Sequence, residues 1–167
     1  VAEISANSLY WRWFDSGDLY KVELAEKIYQ VMLQTPQVKH WLPTRSYLIK
    51  GFKEICDKMQ ALPNVQLRFS SDSVVGKYTK GLHRSVVGTR DVLESHSDIT
   101  ICSAYAKNPD KPKDVRCNGC RACWSDVAVI GYVAHGKNMT ARLAKQAANA
   151  LAIAKYNLAN PQDLIAV

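Results

Sequence analysis

Helix-like and strand-like patterns alternate along this chain, and this alternation restricts its fold more than any other feature. From Leu19 to Leu33, apolar residues recur at steps of three and four, which predicts an amphipathic helix. Residues 65–69 alternate in polarity instead, which predicts a half-buried strand with Gln66 and Arg68 on the polar face. Because parallel strands are joined by crossover helices, this order favours a parallel sheet.

The patterns predict an α/β protein in which repeated βα units form a partial barrel or an open, mostly parallel sheet of about five strands. Five strands are too few for a closed eight-stranded barrel. Asp18 and Asn138 are the predicted N-caps of the first and last helices. The predicted strands are 8–14, 38–42, 65–69, 99–103 and 127–134, and the predicted helices are 19–33, 47–59, 91–95 and 139–158.

The 167 residues are enough for one domain with its own core, since 47% of them are hydrophobic. We therefore expect a single α/β domain over 1–167, with a metal-binding loop, Cys102–Trp124, inserted before the last strand and the C-terminal helix. The apolar run Val127–Ala134 is too short to span a bilayer, and the first residues do not resemble a secretory leader. We expect a protein that acts in the cytoplasm and does not bind membranes.

Four of the five cysteines lie close together in the sequence. Cys117, Cys120 and Cys123 form a C-x2-C-x2-C run, and Cys102 precedes it by fifteen residues. A tight group of this kind, in a chain without a secretory leader, indicates metal binding rather than disulfides. Cys56 falls on the apolar face of a predicted helix instead, and we interpret it as a buried core thiol.

The overlapping spacing favours a [4Fe-4S] cluster over zinc. Three closely spaced thiolates can take three corners of the cluster, and Cys102 supplies the fourth. A structural zinc site more often takes two separated C-x2-C pairs. Zinc remains the alternative cofactor, and His135 is an alternative fourth ligand.

Polar residues follow the predicted strands one after another. Since the carboxyl ends of parallel strands meet at one edge, these residues form a candidate catalytic or ligand-binding pocket. Each of them is also an ordinary residue for capping the next helix. The candidates are Asp15, Asp18, Arg45, Asp72 and His135.

The net charge of +7 is concentrated around the cysteines, because residues 76–125 contain nine Lys and Arg against five Asp and Glu. With aromatic residues such as Tyr78, Tyr105 or Trp124 exposed nearby, such a surface can bind a phosphate backbone and stack bases. The alternative is an ordinary solvated face. The candidate nucleic-acid-binding residues are Lys107, Lys111, Lys113, Arg116 and Arg121.

Several stretches resemble the later two thirds of an uncharacterised bacteriophage family, gene product eighty-eight, over most of residues 8–137. They are YWRWFDSGDL, TPQVKHWLPTR, and the segment from Cys102 through CNGCRACW to VIGYVAH. The resemblance implies a phage or prophage origin and a metal or iron–sulfur site at the four clustered cysteines, but it implies no activity. Family members carry a further cysteine-rich segment that this sequence lacks, so we expect a shortened form.

Three hypotheses about function follow. The first is a small phage iron–sulfur or zinc protein, an accessory or counter-defence factor that binds nucleic acid or a host protein through its basic surface. The second is an enzyme, with Asp15 or Asp18 as general base, Arg45 as anion clamp and His135 as proton donor. In the third, the metal site only stabilises an irregular loop.

Overall fold

The computed structural model describes residues 3–4, 9–14, 17–105, 120–127 and 129–162. Within this part of the chain, six strands and four α-helices follow one another. The strands are β1 (Tyr10–Arg12), β2 (Lys39–Thr44), β3 (Val65–Phe69), β4 (Ser85–Gly88), β5 (Ile99–Ile101) and β6 (Val129–Val133). The helices are α1 (Val22–Gln34), α2 (Lys53–Gln60), α3 (Arg90–Glu94) and α4 (Lys137–Ala159).

All strand pairs are parallel, as the alternating pattern predicts, but the strands form two small sheets rather than one sheet of about five strands. One sheet has the order β1-β2-β3 and the other has the order β4-β6-β5. A short parallel bridge between Ser70 and Ser85 joins them. The Arg84 N–H donates to the Phe69 carbonyl at 2.8 Å beside this bridge. Among the described residues, the sheets do not close into a barrel.

The main core lies between β2, β3 and the two helices α1 and α2. Ala25, Ile28 and Met32 form the buried stripe of α1, at the spacing that places three residues on one helix face. Cys56 of α2 is fully buried in the same core, which confirms it as a core thiol, and burial raises its pKa to about 11. The C-terminal carbonyls of α1 accept from Asn64 Nδ2, which lies 3.1 Å from Met32 O and 3.2 Å from Thr35 O.

Strand β6 has a different neighbour on each face, because successive side chains point to opposite sides. Val129 and Val133 face the core that contains Leu93 of α3. Gly131 belongs to this tightly packed face, since a Cβ there would lie 2.7 Å from Ile99 Cγ2. On the other face, Ile130 and Tyr132 pack against the cysteine-containing turn. The strand therefore connects the second sheet to that turn.

The chain divides into two compact units, residues 1–133 and 134–167. In the second unit, α4 follows Gly136, whose φ of +87° suits a glycine at a sharp entry into a helix. None of the residues of α4 is buried. The prediction of one domain stays a prediction. No helix among the described residues has the length and apolar character needed to cross a membrane.

Both predicted N-caps are wrong. Helix α1 begins at Val22 after Lys21, and α4 begins at Lys137 after Gly136. Asp18 lies three residues before the N-cap position, and its carboxylate instead accepts from Thr44 at the end of β2 and from the Arg45 N–H. Helix α4 begins one residue before Asn138, because Gly136, with its positive φ, lies at the N-cap position.

His40 is a fully buried histidine between the first sheet and α1. Its Nδ1 lies 3.3 Å from the Trp13 Nε1 donor, and its Nε2 lies 2.8 Å from Thr35 Oγ1. Since Thr35 Oγ1 donates to the Val31 carbonyl, it accepts from His40 Nε2, which fixes the neutral tautomer with its proton on Nε2. Burial lowers the pKa of His40 to about 4.

The buried, neutral His40 predicts a loss of stability in acid. Above pH 6.5 the imidazole is neutral in both states, but between pH 6.5 and 4 only the unfolded chain takes up the proton. The free energy of unfolding therefore falls by about 1.4 kcal/mol per pH unit over this window, or by about 3 kcal/mol in all. Urea titrations at pH 7, 5.5 and 4 measure this loss.

The variant His40→Gln removes this contribution, so its free energy of unfolding should depend less on pH over the same window. The exposed His135 provides a matched control, since His135→Gln leaves the buried imidazole in place. An equal pH dependence in the wild type and in His40→Gln would contradict the assignment.

Candidate metal centre

Three of the four predicted ligand cysteines lie at one place on the second sheet. Cys102 directly follows β5, and its N–H donates to the Gly131 carbonyl at 2.8 Å, which extends the pairing with β6. Cys120 and Cys123 lie in the turn that contains the 3-10 helix Ala122–Trp124. Cys123 is buried, and Cys102 packs against the same apolar cluster. We call Cys120–Val127 the cysteine turn.

Cys120 is hydrogen-bonded to Ser103, the residue that follows Cys102. A hydrogen bond with the Ser103 side chain is the largest cause that lowers the pKa of the Cys120 thiol, followed by one with the backbone of Ala122. The nearby Arg121 guanidinium acts in the same direction. These contacts favour the thiolate form, which is the form that binds metals.

The fourth predicted ligand, Cys117, lies outside the described residues, as do Lys107, Lys111, Lys113 and Arg116. Among the described residues, no three His, Cys, Asp or Glu side chains are placed so that they could hold a metal ion. A single zinc ion requires its sulfurs roughly 4 Å apart, because four Zn–S bonds of about 2.3 Å point to the corners of a tetrahedron. A [4Fe-4S] cluster binds its thiolates at the corners of a larger cube.

The cysteine turn is held by Arg68 of β3, whose side chain is fully buried. All five N–H donors of the guanidinium are used, and every acceptor is a backbone carbonyl. Nε donates to Cys123 at 2.9 Å, Nη1 donates to Arg84 at 3.0 Å and Val127 at 3.2 Å, and Nη2 donates to Ala122 at 2.9 Å and Ser125 at 2.8 Å.

This arrangement corrects the predicted polar, solvent-facing position of Arg68. The sequence alternation indicates a half-buried β3, but the cysteine turn covers the second face of the strand at Arg68. Burial lowers the pKa of Arg68 from its ordinary value, and the nearby Cys123 and Tyr132 act in the opposite direction. An arginine remains charged even so. A buried positive charge therefore lies behind Cys123.

Tyr132 of β6 contacts the sulfur of Cys123 directly, with 3.3 Å between Oη and Sγ. Burial raises the pKa of this hydroxyl far above its usual range, and Cys123 and Cys102 add to the shift. Tyr132 therefore keeps its proton and is available as a hydrogen-bond donor to sulfur.

Aromatic side chains cover the cysteine turn. Trp124 makes edge-to-face contacts with Tyr10 and Trp41 at centroid distances of 5.8 and 5.1 Å, and its Nε1 donates to the Trp11 carbonyl at 3.1 Å. Trp41 is 5% exposed, and its Nε1 has no hydrogen-bond partner among the described residues. A buried N–H without an acceptor costs free energy.

The chemistry of the side chains at this place suits an iron–sulfur cluster, although the described cysteines are not placed to hold a single metal ion. The donor set is soft sulfur, as iron–sulfur clusters and zinc require. Arg68 supplies a buried positive charge, while Tyr132 and the unpartnered Trp41 Nε1 are buried N–H or O–H donors in the same apolar cluster as Cys123. Negatively charged thiolates and sulfides are the acceptors that such donors match.

The structure also brings together part of the predicted strand-end pocket. The Asp18 carboxylate accepts from Thr44 Oγ1 and from the Arg45 N–H, both at 2.6 Å. Arg45 Nε lies 3.4 Å from Asp72 Oδ1 in an exposed ion pair. Asp18 thus fastens the loop after β2 to the loop before α1. Its role as a general base stays a prediction.

The other two strand-end candidates are Asp15 and His135. Asp15 lies outside the described residues, and His135 is exposed in the second compact unit, next to the start of α4. Two residues that the sequence does not single out lie near Asp72 instead. The ring centroids of Tyr47 and His83 lie 6.2 Å apart. Burial raises the pKa of Tyr47 and lowers that of His83, while the charge of Asp72 acts to raise both.

Arg121 is the one candidate nucleic-acid-binding residue that the structure describes. Its guanidinium lies 4.5 Å from the ring centroid of Tyr10 and 5.8 Å from that of Trp124. Of the aromatic residues expected to be exposed, Tyr78 and Trp124 are half-buried and hydrogen-bonded. Their role as stacking platforms stays a prediction, and the side chain of Tyr105 lies outside the described part.

The role of Arg68 predicts a large loss of stability on its removal. In Arg68→Met, five carbonyls lose their donor, and we expect the free energy of unfolding to fall by about 3 to 5 kcal/mol. In Arg68→Lys the charge remains with at most three donors, so the loss should be smaller. Urea titration measures both, with the exposed Arg142→Met as control. A loss below about 1 kcal/mol in Arg68→Met would contradict this role.

Comparison with known proteins places the chain in one family. The family model described as Gene product 88 matches residues 1–148. At both ends, this match extends beyond residues 8–137, the stretch that the sequence motifs indicate. No curated protein and no solved structure matches the chain.

Proposed function

This chain belongs to the Gene product 88 family, and from that premise we propose that it is a small phage protein that holds a [4Fe-4S] cluster. The ligands are Cys102, Cys117, Cys120 and Cys123. One observation carries the proposal: Cys102 and Cys123 pack against the same buried apolar cluster, although twenty residues of chain separate them.

Each residue around the proposed cluster has its own role in holding it. Cys102 presents its sulfur from the end of β5, and the turn presents Cys120 and Cys123. Arg68 fixes the path of the turn through its carbonyls, and Trp124 and Trp41 keep water from the buried side. A bound cluster supplies a rigid connection between strand and turn and a one-electron redox centre.

Iron content is the direct test of the cluster. Anaerobic purification should give a brown protein with about four irons per chain and broad absorption at about 400 nm. Replacing any one of the four ligand cysteines with alanine should lower the iron content several-fold, because three thiolates hold a cluster weakly.

Cys56→Ala is the matched control, because that thiol is buried in the core between α1 and α2. This substitution should leave the iron content unchanged. A colourless protein with one zinc per chain would overturn the iron assignment. A protein that binds neither metal would overturn the site itself.

The second part of the proposal is that the basic residues around the cysteine turn bind nucleic acid during an accessory or counter-defence role inside the host cell. The excess of Lys and Arg over residues 76–125 supports it, since a phosphate backbone attracts such a surface. Arg121 contributes as a cation stacked on Tyr10, which places it at the outer edge of the turn. A host protein with an acidic surface is the alternative partner.

Salt dependence tests the nucleic-acid partner. Binding of single-stranded DNA should weaken as salt rises, and changing Lys111, Lys113 and Arg116 together to glutamine should reduce the slope of log affinity against log salt by about 2. Fluorescence anisotropy at several salt concentrations measures this slope. The control changes the exposed Lys21, Lys27 and Lys50 to glutamine, which removes the same charge elsewhere. An affinity that does not change with salt would exclude the nucleic-acid partner.

A further inference from the structure

Cys123 is a buried cysteine whose sulfur contacts an aromatic hydroxyl. It is 7% exposed, and its Sγ lies 3.3 Å from the Tyr132 hydroxyl. Either atom of this contact can donate while the sulfur carries a proton. A cysteine that binds iron has lost that proton, so its sulfur only accepts and the Tyr132 hydroxyl donates.

We propose that Tyr132 raises the reduction potential of the cluster by donating a hydrogen bond to the sulfur of Cys123. The inference rests on the proposed function, since it names a property of that same cluster. Reduction adds negative charge, part of which falls on the sulfur ligands, and a donor stabilises the more negative state. In a buried site this effect is stronger than in water because the local dielectric is low.

Two neighbouring groups act in the same direction. The Arg68 guanidinium donates to the Cys123 carbonyl at 2.9 Å and brings a buried positive charge to the same residue. The Trp41 indole is packed in the same apolar cluster as Cys123, and its Nε1–H finds no acceptor among the described residues. A hydroxyl donor and a buried positive charge therefore both lie at Cys123.

Tyr132 is the best of these three groups for an experiment. Tyr132→Phe removes only the hydroxyl and keeps the ring that packs beside Ile130 and Cys123. Tyr78→Phe is the matched control, because its hydroxyl also makes one hydrogen bond, to Asp98 Oδ1 at 2.6 Å, in the other core of the second sheet. Substitutions of Arg68 are less suitable, because they would change both the charge near the cluster and the structure of the cysteine turn.

The measurement is a redox titration of the full chain carrying its cluster, followed by absorption and electron paramagnetic resonance. Tyr132→Phe should have the same iron content as the wild type and a more negative reduction potential, while Tyr78→Phe should have the wild-type potential. As a second readout, resonance Raman Fe–S stretching bands of the wild type should shift on transfer to deuterated water, and this shift should be smaller in Tyr132→Phe.

The outcomes separate this inference from the proposal beneath it. Wild-type protein without iron would overturn both. Iron-loaded protein with the same potential in the wild type and in Tyr132→Phe would overturn the role of Tyr132 and leave the cluster in place. If Tyr132→Phe lost its iron, an unshifted Raman spectrum of the wild type in deuterated water would overturn the hydrogen bond, and a shifted one would support it.

Discussion

The guanidinium of Arg68 is the interaction on which the second half of the fold depends. It originates on β3 in the first sheet, and its five hydrogen bonds reach Arg84 before β4 and four carbonyls of the cysteine turn. A turn with little regular secondary structure has few backbone partners of its own, so its carbonyls require donors from elsewhere. Only arginine provides five donors in one planar group. One side chain thus fixes the turn that carries Cys120 and Cys123.

The sequence predicts local structure well where the hydrophobic pattern and the burial agree. Residues 65–69 form β3 as predicted, α1 covers most of the predicted helix 19–33, and Cys56 lies in the core. The strand β4 was missed because its four residues lie in a stretch with three glycines and no clear alternation. The prediction of one sheet fails for the same reason, since β4 is the strand that begins the second sheet.

The candidate site is predictable only in part, and the reason is distance along the chain. The spacing of the cysteines predicts a metal site, because the proposed ligands lie close together in the sequence. Arg68 looks like a solvent-facing residue of an alternating strand, and the turn that buries it lies more than fifty residues away. Tyr132 is hidden within the apolar run Val127–Ala134, where it resembles an ordinary core residue. The proposed role of Tyr132 depends on its contact with Cys123, and no local sequence pattern predicts that contact.

Arg68 is buried without a hydrogen bond to a carboxylate, although the charge of Asp126 acts on it, and this has a consequence for how the protein folds. All five donors go to neutral carbonyls, so the charge is hydrogen-bonded but not neutralised. Such a charge is costly unless an anion lies close by. Thiolates that bind a cluster are anions, and Arg68 already bonds to the backbone of one proposed ligand, Cys123. In the proposed loaded form, the cluster therefore balances the charge that holds its own binding turn, and cluster binding and folding stabilise each other.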